Sequence, residues 1–145
     1  MKPVAASAFA ARMASLSDVI GLVEEFARGH GIARDDLLRL TLVVEELFTN
    51  TVVHGHGGDS DALIRLALGA TEAEVCLLYE DDAPPFDASA GVAEHASDPG
   101  DTGATGTDRR VGGLGLRLVA HHAVRLHYAR EEGRNRLWFV LRRET

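Results

Sequence analysis

What this 145-residue chain lacks narrows its reading first. It has one cysteine, Cys76, so no internal disulfide can form. A lone Cys in an apolar, strand-like run reads as a small core residue, and the chain fits a reducing cytoplasm. No apolar stretch approaches the roughly 20 residues that a membrane-spanning helix needs, so no membrane partner is expected. Basic charge is in deficit: 15 Lys and Arg stand against 22 Asp and Glu, for a net charge of −7. That balance argues against binding along a nucleic-acid backbone, which needs clustered cations. It leaves a single nucleotide open, because backbone amides and a metal ion can neutralise phosphates locally. The Ala-rich start carries Lys2 and Arg12 but no Leu or Val run, and Arg12 interrupts it, so it is not read as a secretory leader. His54-x-His56 and His121-His122 have no further ligands at a recognised transition-metal spacing.

The positive signals begin with LTLVVEELFTNTVVHG, residues 40 to 55. Leu40, Val43, Val44, Leu47, Phe48 and Val52 recur at helical spacing and predict a buried amphipathic helix. Glu46, Asn50 and His54 are four apart, so they form one polar stripe on that helix. A carboxylate and a carboxamide on a hydrophobic helix are costly to bury without partners. They are therefore either hydrogen-bonded structural groups or groups that face a ligand.

Around this helix the order is helix, helix, strand, strand, long loop, helix, strand, strand. Residues 1–15 read as an N-terminal arm or edge strand, and 16–145 as a single domain. Ser17 is the expected N-cap of the first helix, which Gly29 or Gly31 ends. The second helix runs from about Arg34 to His54, ahead of Gly55, Gly57 and Gly58. Ile64, Leu66 and Leu68 form one strand face, and Val75, Leu77 and Tyr79 another, with Thr71 and Glu72 between them. Residues 83–111 hold Pro84, Pro85, Pro99, several Gly and Asp, and few large apolar side chains, which reads as a lid-like loop. Gly112, Gly113 and Gly115 then open an apolar helix, and VRLHYARE and RLWFVLRR make a closing hairpin across EEGRN. Short connections between adjacent strands imply a mostly antiparallel sheet with helices on one face, an α+β two-layer sandwich.

Three islands carry candidate chemistry: Glu46-x-x-x-Asn50, Asp81-Asp82-Ala83-Pro84-Pro85-Phe86-Asp87, and Gly112-Gly113-Leu114-Gly115-Leu116. Each alone has an ordinary structural explanation. Together, in this order, they resemble the nucleotide-binding domain of the gyrase and histidine-kinase type ATPases, and more closely the bacterial anti-sigma-factor serine/threonine kinases. The resemblance covers about residues 16 to 143 and includes the Glu-Gly-Arg-Asn turn near the end.

The resemblance implies the histidine-kinase-like (Bergerat) ATPase fold, with ATP and Mg²⁺ as cofactors. It implies Glu46 as general base, Asn50 as Mg²⁺ ligand, and Asp81 as acceptor for the adenine amine. Ala83 and Phe86 would lie beside the base. Gly112, Gly113, Leu114, Gly115 and Leu116 would cradle the phosphates at a helix N-terminus, where small residues let backbone amides approach. Arg109, next to those glycines, is a further candidate for phosphate. The implied partners are a sigma factor and an anti-anti-sigma (STAS-type) protein, with a possible homodimer. The implied activity is phosphorylation of that anti-anti-sigma protein in the cytoplasm. One position departs from the pattern: Ala83 stands where the family usually has Gly. If that backbone needs positive φ, Ala costs about 1 kcal/mol or more; if the Gly only allows close approach, Ala is tolerated. A non-catalytic nucleotide-binding module that acts by sequestering its partner is the alternative.

Overall fold

The computed structural model describes residues 5–86 and 123–144. Asp87, Arg109, Gly112, Gly113, Leu114, Gly115 and Leu116, with most of the expected lid and the helix after it, lie outside the described residues. The described elements are β1 (Ala5–Ala10), a 3₁₀ turn (Met13–Ser15), α1 (Leu16–Gly29), α2 (Arg34–Thr49) continued by a π-helical turn (Asn50–Gly55), β2 (Leu63–Ala70), β3 (Glu74–Asp81), β4 (Ala123–Glu131) and β5 (Arg134–Arg142).

The strands form one antiparallel sheet in the order β1-β2-β3-β5-β4. Period-two alternation decides which face is covered. Ile64, Leu66 and Leu68 of β2, Val75, Leu77 and Tyr79 of β3, and Leu137, Phe139 and Leu141 of β5 are all buried. They pack in one cluster with Val19, Val23 and Phe26 of α1 and Leu40, Val43, Leu47 and Phe48 of α2. The architecture is the expected α+β sandwich: an antiparallel sheet with the two described helices on one face. Each fully buried aliphatic or aromatic side chain contributes about 1.5–3 kcal/mol, so this cluster is the main adhesive between the layers.

Three local expectations are corrected. Ser17 lies inside α1 and does not cap it; Ser15 precedes the helix and makes no side-chain cap bond. The helix is entered from the 3₁₀ turn, where the Asp59 carboxylate accepts the Met13 N–H at 2.9 Å and Ser15 N–H donates to the Arg12 carbonyl at 2.9 Å. A remote carboxylate and a backbone turn thus do the work assigned to a local hydroxyl. Cys76 is not a core residue: it is half-buried on the sheet face opposite the helices, because it alternates with the core residues Val75 and Leu77. Burial nevertheless pushes its thiol pKa up. The α-helical part of α2 stops at Thr49, short of His54, and the chain widens into the π turn.

The end of α1 follows the glycine-based pattern. Gly31 adopts φ +63°, Ile32 N–H donates to the Ala27 carbonyl at 3.0 Å, and His30 N–H donates to the Phe26 carbonyl at 3.1 Å. The β4–β5 turn is Glu132-Gly133, with φ of 51° and 77°, values that suit the right-handed twist of a two-residue hairpin. This turn fixes the register that sets Asn135 opposite Asp81 on one side and opposite Arg130 on the other. A slip of one residue would turn Asn135 to the other face.

A buried carboxylate locks α2 to the end of the sheet. Asp36 is fully buried; it accepts from the Arg39 guanidinium at 2.9 Å and from the Glu144 N–H at 2.8 Å. Asp36→Ala leaves the Glu144 amide without its acceptor, so a loss of about 1–3 kcal/mol is expected in urea or thermal unfolding. A loss below about 0.5 kcal/mol, the scale of an ordinary surface substitution, would show that this clasp carries no weight.

Candidate nucleotide site

The π turn, the end of β3 and the start of β5 meet around a cavity of about 290 Å³. Asn50, Thr51 and His54 enter it from the helix side, Asp81 and Ala83 from the end of β3, and Asn135 from β5. An α-helix that widens to π geometry changes the direction of its side chains over one turn, and such turns recur at functional sites. Here the widening starts at Asn50, the residue whose side chain the sequence left without an evident partner.

Asp81 is the centre of a buried polar network. Its carboxylate accepts from the Thr51 hydroxyl at 2.8 Å, the Ala83 N–H at 3.0 Å and the Asn135 side-chain amide at 2.8 Å. The Thr51 hydroxyl is also 2.7 Å from the Tyr79 hydroxyl and 3.0 Å from the Leu47 carbonyl; Tyr79 lies 3.0 Å from that same carbonyl. Two hydroxyl protons are shared among these contacts: Thr51 donates to the carboxylate, and Tyr79 donates to Thr51 or to the Leu47 carbonyl. Burial, and then the charge of Asp81, raise the Tyr79 phenol well above its ordinary pKa, so it remains a donor. A carboxylate has about four acceptor positions. Three are taken, and Asp81 still lines the cavity, which suits it to one further donor there.

Asn50 is buried, and its amide nitrogen has no hydrogen-bond partner among the described residues. A carboxamide's two ends exchange by a half-turn, so the same end can present its oxygen. A buried amide without a partner costs about 1–3 kcal/mol, and a ligand in the cavity would remove that cost. Glu46 lies one turn earlier and is half-buried; it does not line the cavity. Burial, reinforced by the neighbouring charge of Glu45, raises its carboxyl pKa.

Ala83 answers the question its sequence position posed. Its φ is not positive, so the backbone imposes no left-handed strain on it. Its methyl group occupies the space that glycine leaves at position 55: a Cβ added to Gly55 would sit 2.7 Å from the Ala83 Cβ. The Ala83 carbonyl accepts from Arg130 at 2.7 Å and from Asn135 at 3.2 Å. Phe86, just over half exposed, stands at the rim, with its N–H donating to the Asn135 side-chain oxygen at 3.2 Å. Of the residues singled out from sequence, Asn50, His54, Asp81, Ala83 and Phe86 share this cavity, and Glu46 is not among its lining residues.

Thr51, Tyr79 and Asn135 were missed. Tyr79 read as an ordinary core aromatic, and Thr51 fell between the polar positions of the helix stripe. Asn135 did carry a signal, because Asn is depleted in strands and needs a reason to start one.

The histidine kinase-like ATPase domain matches residues 9–141. The chain belongs to the histidine kinase-like ATPase family. A domain of this family binds ATP. The cavity presents a fixed carboxylate acceptor, a buried carboxamide with capacity to spare, and a small-residue wall at Gly55 and Ala83. A curated relative, the serine/threonine-protein kinase BtrW of Bordetella bronchiseptica (strain ATCC BAA-588 / NCTC 13252 / RB50), is 33% identical over 98 residues. The match covers 68% of this chain and 65% of the relative, so it spans just under two thirds of the relative's length. No helix among the described residues of this histidine kinase-like ATPase domain is long and apolar enough to cross a membrane.

Two predictions follow from the site. Gly55→Ala should destabilise the fold by about 1–3 kcal/mol through overpacking against Ala83. Ala83→Gly should recover most of that loss in the double variant, and purely additive effects in urea unfolding would contradict the contact. Glu46→Gln addresses the raised pKa. The folded protein holds the Glu46 proton more tightly than the unfolded chain, so ionisation costs stability at pH values above the folded pKa. The variant should therefore melt higher than the wild type at pH 7 to 8. That gain should vanish as the pH falls below the ordinary Glu value; an unchanged gain at low pH would rule out ionisation as its source.

Proposed function

We propose that this chain is an ATP-binding anti-sigma factor and protein serine/threonine kinase that phosphorylates an anti-anti-sigma protein and so controls sigma-factor availability. The observation that carries the reading is the joint placement of Asn50 and Asp81 on one cavity. The printed name of the Bordetella relative, a serine/threonine-protein kinase, supports the kinase activity. The resemblance of the three sequence islands to anti-sigma kinases supports the partners: a sigma factor, a STAS-type anti-anti-sigma protein and, for assembly, a second copy of the chain.

In this reading Asp81 accepts from the adenine exocyclic amine. Asn50 supplies a neutral oxygen to Mg²⁺, an ion that favours oxygen ligands and keeps several waters. Gly112, Gly113, Leu114, Gly115, Leu116 and Arg109 are assigned to the phosphates on the strength of their sequence pattern. Magnesium-bound ATP supplies the phosphoryl group and part of the charge neutralisation that its transfer requires. Glu46 takes the proton from the attacking Ser or Thr hydroxyl; its raised pKa makes it a stronger base once ionised.

The sequestering-module alternative drew on Ala83 and on the Gly/Asp-rich lid. The absence of a positive φ at Ala83, and the glycine at position 55 that leaves space for its methyl group, weigh against backbone strain there; most of the lid lies outside the described residues.

The test is a transfer assay with labelled Mg-ATP and a candidate STAS-type protein. Label should appear on a Ser or Thr of the partner. Glu46→Gln should lower the rate by about 10²–10⁴-fold, the usual contribution of a positioned base, and Asn50→Ala should abolish Mg²⁺-dependent transfer. Tight partner binding with no transfer by the wild type would overturn the kinase reading in favour of sequestration.

A further inference from the structure

Asn135 is more extensively bonded than any residue the sequence islands identified. It is buried, at 7% exposure, as the second residue of β5, opposite Asp81. Its amide nitrogen reaches the Asp81 carboxylate at 2.8 Å, the Pro84 carbonyl at 3.0 Å and the Ala83 carbonyl at 3.2 Å. Its oxygen accepts from the Tyr128 hydroxyl at 2.6 Å and from the Phe86 N–H at 3.2 Å. A carboxamide offers two donors and two acceptor positions. Here all four are engaged, one proton being shared between two acceptors. Only an Asn of this length satisfies the set: Asp would replace the donors with a second negative charge, and Leu would leave Asp81, two carbonyls and the Phe86 amide short of a partner.

These bonds join two things that selectivity needs together. One is the direction of the Asp81 carboxylate, held from the β5 side by Asn135 and from the helix side by Thr51. The other is the course of residues 83–86, which form the cavity wall and its rim. Arg130, opposite Asn135 in the sheet, adds a second tie to the Ala83 carbonyl.

We propose that Asn135 is the positioning residue for purine selectivity: it aims the Asp81 carboxylate at the exocyclic amine and pins residues 83–86 so that the wall and the acceptor keep one geometry. Tyr128 assists by fixing the Asn135 amide in the orientation that points its nitrogen at Asp81. The inference rests on the reading that the cavity takes the adenine base with Asp81 as acceptor.

A pair of probes separates positioning from general structural support. ADP carries the exocyclic amine; inosine diphosphate carries a carbonyl in its place, with N1 correspondingly protonated, and the same ribose and phosphates. Calorimetric affinities for both, with Mg²⁺, give a selectivity ratio that an overall loosening of the fold leaves in place and a misaimed acceptor does not. Asn135→Asp should lower the ADP-to-IDP ratio by about tenfold or more, because a site built to hydrogen-bond a group discriminates only while its own polar atoms are aligned. Tyr128→Phe keeps the ring and loses one bond; it should lower the ratio several-fold. It also decides the matter if Asn135→Asp does not fold. An unchanged ratio in a folded Asn135→Asp protein, or in Tyr128→Phe alone where the first variant cannot be made, would overturn the proposal. Asp81→Asn tests the reading beneath it. If that variant retains the wild-type ratio, Asp81 is not the adenine acceptor and the cavity assignment fails. If it loses the ratio while the Asn135 and Tyr128 variants keep it, the assignment stands and the positioning role falls.

Discussion

A single carboxylate at the end of β3 sets the terms for this structure. Asp81 is 6% exposed, and a carboxylate so placed is tolerable only when hydrogen bonds replace the water it has lost. Those bonds come from three separate parts of the chain: Thr51 after α2, Ala83 beyond β3, and Asn135 at the start of β5. The helix layer, the sheet register and the cavity wall must therefore all be right at once. Tyr79, whose phenol is kept protonated by burial beside that charge, links the same network to the α2 backbone at Leu47.

The helix side carries polar groups at a cost in stability. Asn50 is buried with an amide nitrogen that finds no partner among the described residues, and Glu46 is held in surroundings that disfavour its charge. Both are local sacrifices of stability on an element otherwise secured by Leu40, Val43, Val44, Leu47 and Phe48. Conflict between local rules and a site's needs is what marks functional positions in natural proteins. Asp36, by contrast, shows the same residue class used structurally: its bonds to Arg39 and Glu144 close the far end of α2 against the sheet.

Much of the fold was legible because its signals are periodic. Alternation in β2 and β3, together with the short link at Thr71 and Glu72, identified the covered faces. The apolar spacing of residues 40–52 identified the helix that carries Asn50. Single-residue decisions were less legible. Ser17 lost the capping role because the entry to α1 is set by the distant Asp59, which no local pattern reports. Cys76 was assigned to the core from its apolar, strand-like surroundings, whereas its parity within β3 places it on the opposite face. The widening at Asn50 and the hub at Asn135 depend on contacts between residues far apart in the chain. The Glu132-Gly133 turn was visible, but that it would bring Asn135 against Asp81 followed only from the pairing of β3 with β5. For Ala83, sequence posed two outcomes, and the backbone φ together with the space at Gly55 chose between them.

The central claim is that the cavity beneath the π turn is an adenine-nucleotide site read by Asp81. Its most direct test is the two-dimensional NMR response of the wild-type protein to Mg-ADP and to Mg-GDP. The account predicts saturable shifts with ADP, centred on the backbone amides of Asn50, Thr51, Asp81 and Ala83 and on the Asn135 side-chain amide, and much weaker ones with GDP. Equal responses to the two nucleotides, or ADP-induced shifts that spare these amides, would contradict it.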